Sequence, residues 1–139
     1  MKRIVFILIA IALSAAQAHA SAGFSCEADD KNVEKLVVEG ATPRSGGALI
    51  NFGAVLETGG KKIEFMQSDV KRYYGVGGVI HVRVAAQSGD QSYVVVVNAK
   101  RNPKDEDDWA GTYEVTQGAA DKKTKAAKIT RGKVKCFVE

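Results

Sequence analysis

This sequence of 139 residues has little of what catalytic and metal sites are built from. It contains two cysteines and two histidines, and they form neither a CxxC pair nor a set of zinc ligands. A GxSxG nucleophile elbow is also absent from the sequence. We therefore predict no enzyme activity, no metal site and no cofactor.

Long hydrophobic runs are also scarce. The longest, from Ile4 to Leu13, follows Met1-Lys2-Arg3 and precedes Ala18-His19-Ala20. A charged start, a short apolar middle and small residues before a cleavage point are the three parts of a secretory signal peptide. The run is shorter than the roughly 20 apolar residues that cross a bilayer. We predict a signal peptide over residues 1–20, no transmembrane span after its cleavage, and a periplasmic or secreted protein.

The remaining residues, 21–139, are expected to form one domain. They contain no internal repeat and no linker, and their number suffices for one modest hydrophobic core. Of the 20 Lys and Arg, two (Lys2 and Arg3) lie in the predicted signal peptide, which leaves 18 against 16 Asp and Glu. The processed chain would therefore carry a formal charge of +2.

The two cysteines, Cys26 and Cys136, lie near opposite ends of the predicted domain. In an exported chain with no third cysteine, the two are expected to form a disulfide. Apolar residues occur two positions before and after each cysteine, and the residues between them are polar or charged except for Phe137. This alternation is typical of half-buried strands and predicts a bond that joins the first and last strands from within the core.

Strand-like segments recur about every dozen residues between the cysteines. Thr58-Gly59-Gly60-Lys61 predicts a hairpin turn, and Val94–Val97 is apolar on both sides, as in a strand covered on two faces. No convincing amphipathic helix occurs. We predict an all-β fold of about eight antiparallel strands, a small β-barrel or β-sandwich. A barrel of this size holds either its own side chains or one small ligand, and the sequence leaves both open.

The densest charge in the chain is cationic and lies between residues 121 and 135, where Asp121 is the one opposing residue. Such density attracts nucleic acid or an anionic lipid or glycolipid surface, whereas alternation of lysines with apolar residues also fits a solvated strand face. Export and the lack of a nucleic-acid-binding motif disfavour nucleic acid. The candidate contacts with an anionic envelope surface are Lys122, Lys123, Lys125, Lys128, Arg131, Lys133 and Lys135.

Three aromatic residues are candidates for binding a ligand or a protein partner. Tyr73 and Tyr74 precede the glycine-rich segment Gly75–Gly78, and Trp109 begins a strand after the charged segment Arg101–Asp108, which is predicted to be a loop. Aromatic residues at strand ends are common in recognition sites, although they are also common in cores. We predict that the protein acts by binding an envelope component, a small ligand or a protein.

Two alternatives for catalysis or metal binding are weaker. Lys104–Asp108 could offer oxygen ligands to calcium, but it lacks the spacing and the glycine of an EF-hand loop. His81 shares a polar strand face with Arg83 and could serve a hydrolase together with carboxylates, although the sequence shows no positioned partner.

A further candidate is the predicted loop from Ala41 to Gly47, which contains Ser45-Gly46-Gly47. With this motif, the predicted signal peptide and the predicted β-barrel, the chain resembles small exported bacterial inhibitors of lysozyme, in which a Ser-Gly motif enters the cleft of the enzyme. This chain lacks the tyrosine that follows that motif in those inhibitors. The resemblance implies that residues 42–47, with Ser45 at their centre, inhibit a lysozyme-like or other envelope or host enzyme.

Overall fold

The structure is a computed structural model that describes residues 21–43, 47–121 and 127–139. The predicted signal peptide and Ser45 lie outside the described residues, as do Lys122, Lys123 and Lys125. Within the described ranges, no helix is both long enough and apolar enough to cross a membrane.

The described residues form nine β-strands and one short 3-10 turn. The all-β prediction is therefore confirmed. The 3-10 turn, Gln67–Asp69, lies between the fourth and fifth strands. The strands are β1 (Ser21–Ala28), β2 (Lys35–Pro43), β3 (Asn51–Thr58), β4 (Lys61–Met66), β5 (Val70–Val76), β6 (Val79–Ser88), β7 (Gln91–Asn102), β8 (Asp105–Ala119) and β9 (Lys128–Val138).

The strands form one antiparallel sheet that curls into a nearly closed barrel, with the order β4-β3-β2-β1-β9-β8-β7-β6-β5. Consecutive strands are paired except at β4 and β5, and β1 pairs with β9. In that last pair Cys26 lies directly opposite Cys136, and the two form a disulfide. Both cysteines are buried. The predicted link between the first and last strands from within the core is thus confirmed, and of the two predicted architectures the structure is the barrel.

The one unpaired step in the ring is between β4 and β5. Since every paired neighbour is antiparallel, the register makes β4 and β5 run in the same direction. β4 pairs with β3, β5 pairs with β6, and the 3-10 turn joins them. They are therefore two halves of one interrupted strand, which reconciles nine observed strands with about eight predicted. Beside this seam, the Gln67 side-chain amide donates a hydrogen bond to the Leu49 carbonyl over 2.9 Å.

The two ends of the barrel differ in their connections. The end that carries the β5–β6 turn at Gly77-Gly78 and the β7–β8 turn at Pro103-Lys104 is called the lower end. The upper end carries the β3–β4 turn at Gly59-Gly60 and the β6–β7 turn at Gly89-Asp90. Both glycines of the β3–β4 turn have positive φ, 59° and 72°, the geometry that glycine adopts without strain. The hairpin predicted over residues 58–61 is confirmed.

The interior of the barrel is filled by its own side chains. Apolar residues at alternate strand positions point inward and are almost completely buried, as the two-residue period requires. The largest of them are Tyr93, Tyr113, Phe65, Leu36 and Leu56. Of the two interiors left open by the sequence, the described residues show the packed one.

Two segments predicted as loops contain strand, and one strand predicted to be covered on both faces is covered on one. Strand β2 continues through Pro43, so the predicted loop over residues 41–47 begins as strand, and β7 and β8 include all of Arg101–Asp108 except a two-residue turn. A strand continues as far as the neighbouring strand offers backbone hydrogen-bonding groups, whether its own residues are polar or apolar.

The Val94–Val97 run is not covered on two faces, because Val95 and Val97 are buried whereas Val94 and Val96 lie half-buried on the outer wall. A barrel has one interior and no second layer over its outside.

Asp30 ties the β1–β2 connection to the upper end of the barrel. Its carboxylate accepts hydrogen bonds from the Tyr113 hydroxyl (2.7 Å), the Asn32 amide (2.8 Å) and the Lys133 amide (2.6 Å). Burial by itself would raise the pKa of Asp30, but these hydrogen bonds and the charge of Lys133 hold it below its ordinary value. Burial, together with the hydrogen bond to Asp30 and its negative charge, raises the pKa of Tyr113.

We expect Asp30→Asn to lower the free energy of unfolding by about 1 kcal/mol at pH 7, because charge-assisted hydrogen bonds are lost. A carboxyl whose pKa is lower in the folded state stabilises fully above its unfolded pKa, and this stabilisation is lost as the pH falls through the folded value. The difference from wild type should therefore shrink on acidification from pH 5 to about pH 2. Urea unfolding across this range measures it. Asp29→Asn, at an exposed neighbouring residue, is the control, and an equal loss in both variants would contradict the assignment.

Candidate functional site

A small cavity opens at the lower end of the barrel, and we call it the socket. It has a volume of about 100 Å³ and is lined by uncharged residues of β1, β2, β5, β6, β8 and β9 and of the β5–β6 turn. The principal side chains are those of Phe24, Tyr73, Val79 and Trp109, with Ala22 and Thr42 at the edge. Two of the aromatic residues proposed from the sequence, Tyr73 and Trp109, therefore meet at one site.

The inner wall of the socket is a pair of stacked rings. The rings of Phe24 and Tyr73 have centroids 5.8 Å apart and an interplanar angle of 10°. Glycines leave space for both rings, since a Cβ at Gly40 would lie 2.5 Å from the Phe24 ring and one at Gly75 would overlap the Tyr73 hydroxyl. Burial raises the pKa of Tyr73, against a smaller opposing effect of a hydrogen bond with Thr42. These contacts hold Tyr73 in one orientation.

Trp109 forms the opposite side of the socket. It is the register partner of Cys136 in the β8–β9 pair, so its backbone is held by the strand that carries the disulfide. The indole N–H donates a hydrogen bond to the Glu106 carbonyl over 3.1 Å. The ring is half-buried, with one face toward the socket residues and the polar edge bonded to backbone.

The rim beside Trp109 is acidic. Asp105, Glu106, Asp107 and Asp108 are exposed at the start of β8. The Asn102 side-chain amide donates a hydrogen bond to Asp108 over 2.9 Å, and Arg101 approaches Glu106 at 3.9 Å. A chain whose formal net charge is +4 thus presents carboxylates beside the opening of an uncharged cavity.

The remaining aromatic candidate, Tyr74, lies away from the socket. Adjacent residues of a strand point to opposite faces, so Tyr73 points inward while Tyr74 is 53% exposed on the outer wall. Ser45 lies outside the described residues. Sequence reasoning missed the contribution of Phe24 and Thr42 to the socket, and no local signal marks them, because they reach it only when β1 and β2 come to face β5 inside the barrel.

In the described part of the cationic stretch, Arg131, Lys133 and Lys135 lie on the outside of β9, whereas Lys128 shares the parity of the inward residues and lines a cavity at the upper end. Lys128, Arg131, Lys133 and Lys135 are all exposed. The Arg131 guanidinium donates to the Glu114 carboxylate of β8 over 2.8 Å, and Lys135 has Glu27 of β1 as its register partner. The structure thus places acidic residues on both strands beside this row of cations.

His81 also lies on the outer wall, on β6. Its Nδ1 atom is hydrogen-bonded to the Asn98 side-chain oxygen at 2.5 Å, so the partner found is an amide rather than a carboxylate. Within the described ranges, no group of three or more His, Cys, Asp or Glu side chains is arranged to hold a metal ion.

The site therefore belongs to a small, disulfide-closed, up-and-down β-barrel with an aromatic socket at one end. Comparisons with protein-family models, with curated proteins and with solved structures find no match for this chain.

Proposed function

We propose that the protein acts by binding, and that its socket receives one apolar side chain of a cationic protein or peptide. The observation that carries the proposal is an uncharged cavity walled by Phe24, Tyr73 and Trp109 and bordered by the acidic residues 105–108. An apolar group entering it leaves water, while positive charges flanking that group face carboxylates.

The size of the socket favours a side chain over a free metabolite. Its volume of about 100 Å³ is below the ~300–1,000 Å³ of pockets for drug-sized ligands. It is closer to the roughly 150 Å³ of a cavity that accommodates benzene. Complete burial of a leucine-sized side chain contributes about 1.5–3 kcal/mol, so the socket acts as an anchor within a larger contact.

Electrostatic attraction supplies a second part of the binding. Carboxylates at the rim accelerate association with a cationic partner and exclude anionic ones, an effect that weakens as salt increases. The socket selects which side chain of the partner is bound, and the acidic rim selects the charge of the partner residues that flank this side chain. Neither requires a change in the barrel, since the Phe24–Tyr73 stack is already formed.

The two alternative hypotheses receive no added support from the geometry. Inhibition of a lysozyme-like enzyme depends on Ser45, which lies outside the described residues, although Thr42 at the start of that segment lines the socket. The carboxylate hydrolase depends on a partner for His81, and the partner observed is Asn98. Both stay untested predictions.

The experiment that tests the socket uses Trp109, the only tryptophan of the chain, as its reporter. We expect the pentapeptide Lys-Lys-Leu-Lys-Lys to shift the tryptophan emission to shorter wavelength in a saturable titration, because a leucine beside the indole excludes water. A peptide with serine in place of leucine should give no saturable shift, and Glu-Glu-Leu-Glu-Glu should bind less tightly than the cationic peptide. Equal titration curves for the leucine and serine peptides would contradict the proposal.

Two substitutions of alanine by leucine test whether the peptide binds in the socket. Ala22→Leu places a larger side chain at the edge of the socket and should weaken binding of the leucine peptide at least about tenfold, the equivalent of about 1.4 kcal/mol. Ala110→Leu makes the same change at an exposed residue of β8 and should leave the affinity unchanged. Wild-type affinity in Ala22→Leu would place the binding site elsewhere.

A further inference from the structure

Three cations converge on the outer wall where β5 pairs with β6. Arg72 lies directly opposite Arg83, and the register shifts between Val70 and Arg72. Lys71 is therefore the extra residue of a β-bulge beside this arginine pair, and all three cations are exposed. Bulges of this kind re-aim side chains and occur next to functional sites.

Direct opposition of two like charges destabilises a sheet. The ion pairs among the described residues involve other cations, namely Lys62, Arg101 and Arg131. The repulsion between the two arginines therefore lowers the stability of the fold, and a bound anion would offset this repulsion. Two guanidinium groups side by side suit a sulfate, phosphate or carboxylate group, because each presents a planar fork of N–H donors.

The next outward row along the same strands carries an aromatic ring and hydrogen-bonding groups. Tyr74, His81 and Asn98 are successive register partners across β5, β6 and β7. The row lies two residues from the arginine pair, about 7 Å along the strand. Tyr74 is 53% exposed, and the hydrogen bond between His81 and Asn98 fixes the two polar side chains beside it.

Charge is distributed unevenly around the barrel. Outward positions of β6 to β9 add Lys100, Lys133 and Lys135, with Glu114 paired to Arg131 among them. The acidic residues 105–108 border this wall at the lower end. On the wall formed by β1 to β4, the outward charged residues are Glu27, Lys35, Glu39, Glu57, Lys62 and Glu64. The surrounding field therefore attracts an anion to the wall that holds the arginine pair.

We propose that this wall binds an anionic sugar unit of a polysaccharide, at a site formed by Lys71, Arg72, Arg83, Tyr74, His81 and Asn98. The three cations hold the anionic substituent, the ring of Tyr74 packs against the face of the sugar, and His81 and Asn98 hydrogen-bond to its hydroxyl groups. The convex surface and the one exposed ring among these six residues favour a linear glycan over a lipid tail, which would need an apolar groove. This site is separate from the socket and from the cationic row on β9.

Isothermal titration calorimetry with dextran sulfate tests the site, with uncharged dextran and inorganic polyphosphate as comparison ligands. We expect dextran sulfate to bind and dextran not to bind. Arg72→Ser combined with Arg83→Ser should lower the affinity for dextran sulfate about tenfold or more, since hydrogen bonds to charged groups are lost. The matched control, Lys35→Ser combined with Lys62→Ser, removes the same charge from outward positions of β2 and β4, away from the arginine pair, and should have little effect.

Tyr74→Ser separates a sugar site from a general polyanion site. It should weaken binding of dextran sulfate several-fold and leave the affinity for polyphosphate unchanged. An equal effect on both ligands, or none on either, would overturn the assignment to a sugar, and equal losses in the two double variants would overturn the site itself. Thermal unfolding checks that the arginine variant is folded, and we expect it to be at least as stable as wild type because a like-charge opposition is gone.

Discussion

Replacing Gly111 by alanine is expected to destabilise the barrel by about 3 kcal/mol. A Cβ at this position would overlap the carbonyl oxygen of Asn98 and lie 2.6 Å from the Cα atom of Ala99. Both are backbone atoms of β7, the strand paired with β8, so no side-chain rotation relieves the overlap. The β7–β8 ladder has to shift, in the middle of the longest hairpin of the barrel.

The matched control for this substitution is Gly53→Ala in β3. Gly53 also lies within a strand, but no atom lies within 4 Å of a Cβ built there. We expect it to change stability by less than about 1 kcal/mol, because alanine restricts the unfolded chain more than glycine does. Urea unfolding followed by circular dichroism compares the two variants, and coincident midpoints would show that β7 and β8 are not packed as closely as described.

Reduction of the Cys26–Cys136 disulfide should lower the free energy of unfolding by about 2–5 kcal/mol. The bond joins residues separated by 110 positions, so it restricts nearly the whole unfolded domain. In the chain-entropy account, a loop of about 100 residues corresponds to about 4.7 kcal/mol. That is comparable with the ~5–15 kcal/mol by which domains are stable at all.

Guanidinium unfolding with and without reductant measures this effect. A variant with both Cys26→Ala and Cys136→Ala serves as control, because reductant should not change its midpoint. The reduced protein should still pair β1 with β9 through backbone contacts such as Ser25 with Phe137, although less persistently. Identical midpoints for oxidised and reduced wild type would contradict a stabilising role for the bond.

The disulfide and the socket are mechanically related. Phe24 lies two residues before Cys26 on β1, and Trp109 is the register partner of Cys136. The bond therefore holds both walls of the socket in place from one side of the barrel. A binding module that relies on a preformed aromatic cavity loses less entropy on association than one that must order its rings on binding.

Two properties of the protein could be predicted from the sequence. The two-residue alternation around the cysteines identified inward residues such as Phe24 and Val134, and both are buried. The positions and small number of cysteines predicted a link between the terminal strands, and the structure contains it. These inferences succeeded because a strand's two faces follow from local alternation, and because a chain with two cysteines offers one possible intramolecular pairing.

Register and closure determine the rest. The contact of Phe24 with Tyr73 and the opposition of Arg72 to Arg83 bring together residues whose strands are distant in the chain or shifted by a bulge. The interruption between β4 and β5 follows from the even number of strands that an antiparallel ring requires. Alternation shows which way a side chain points but not which residue it faces. The socket and the arginine pair are therefore features that only the closed barrel creates.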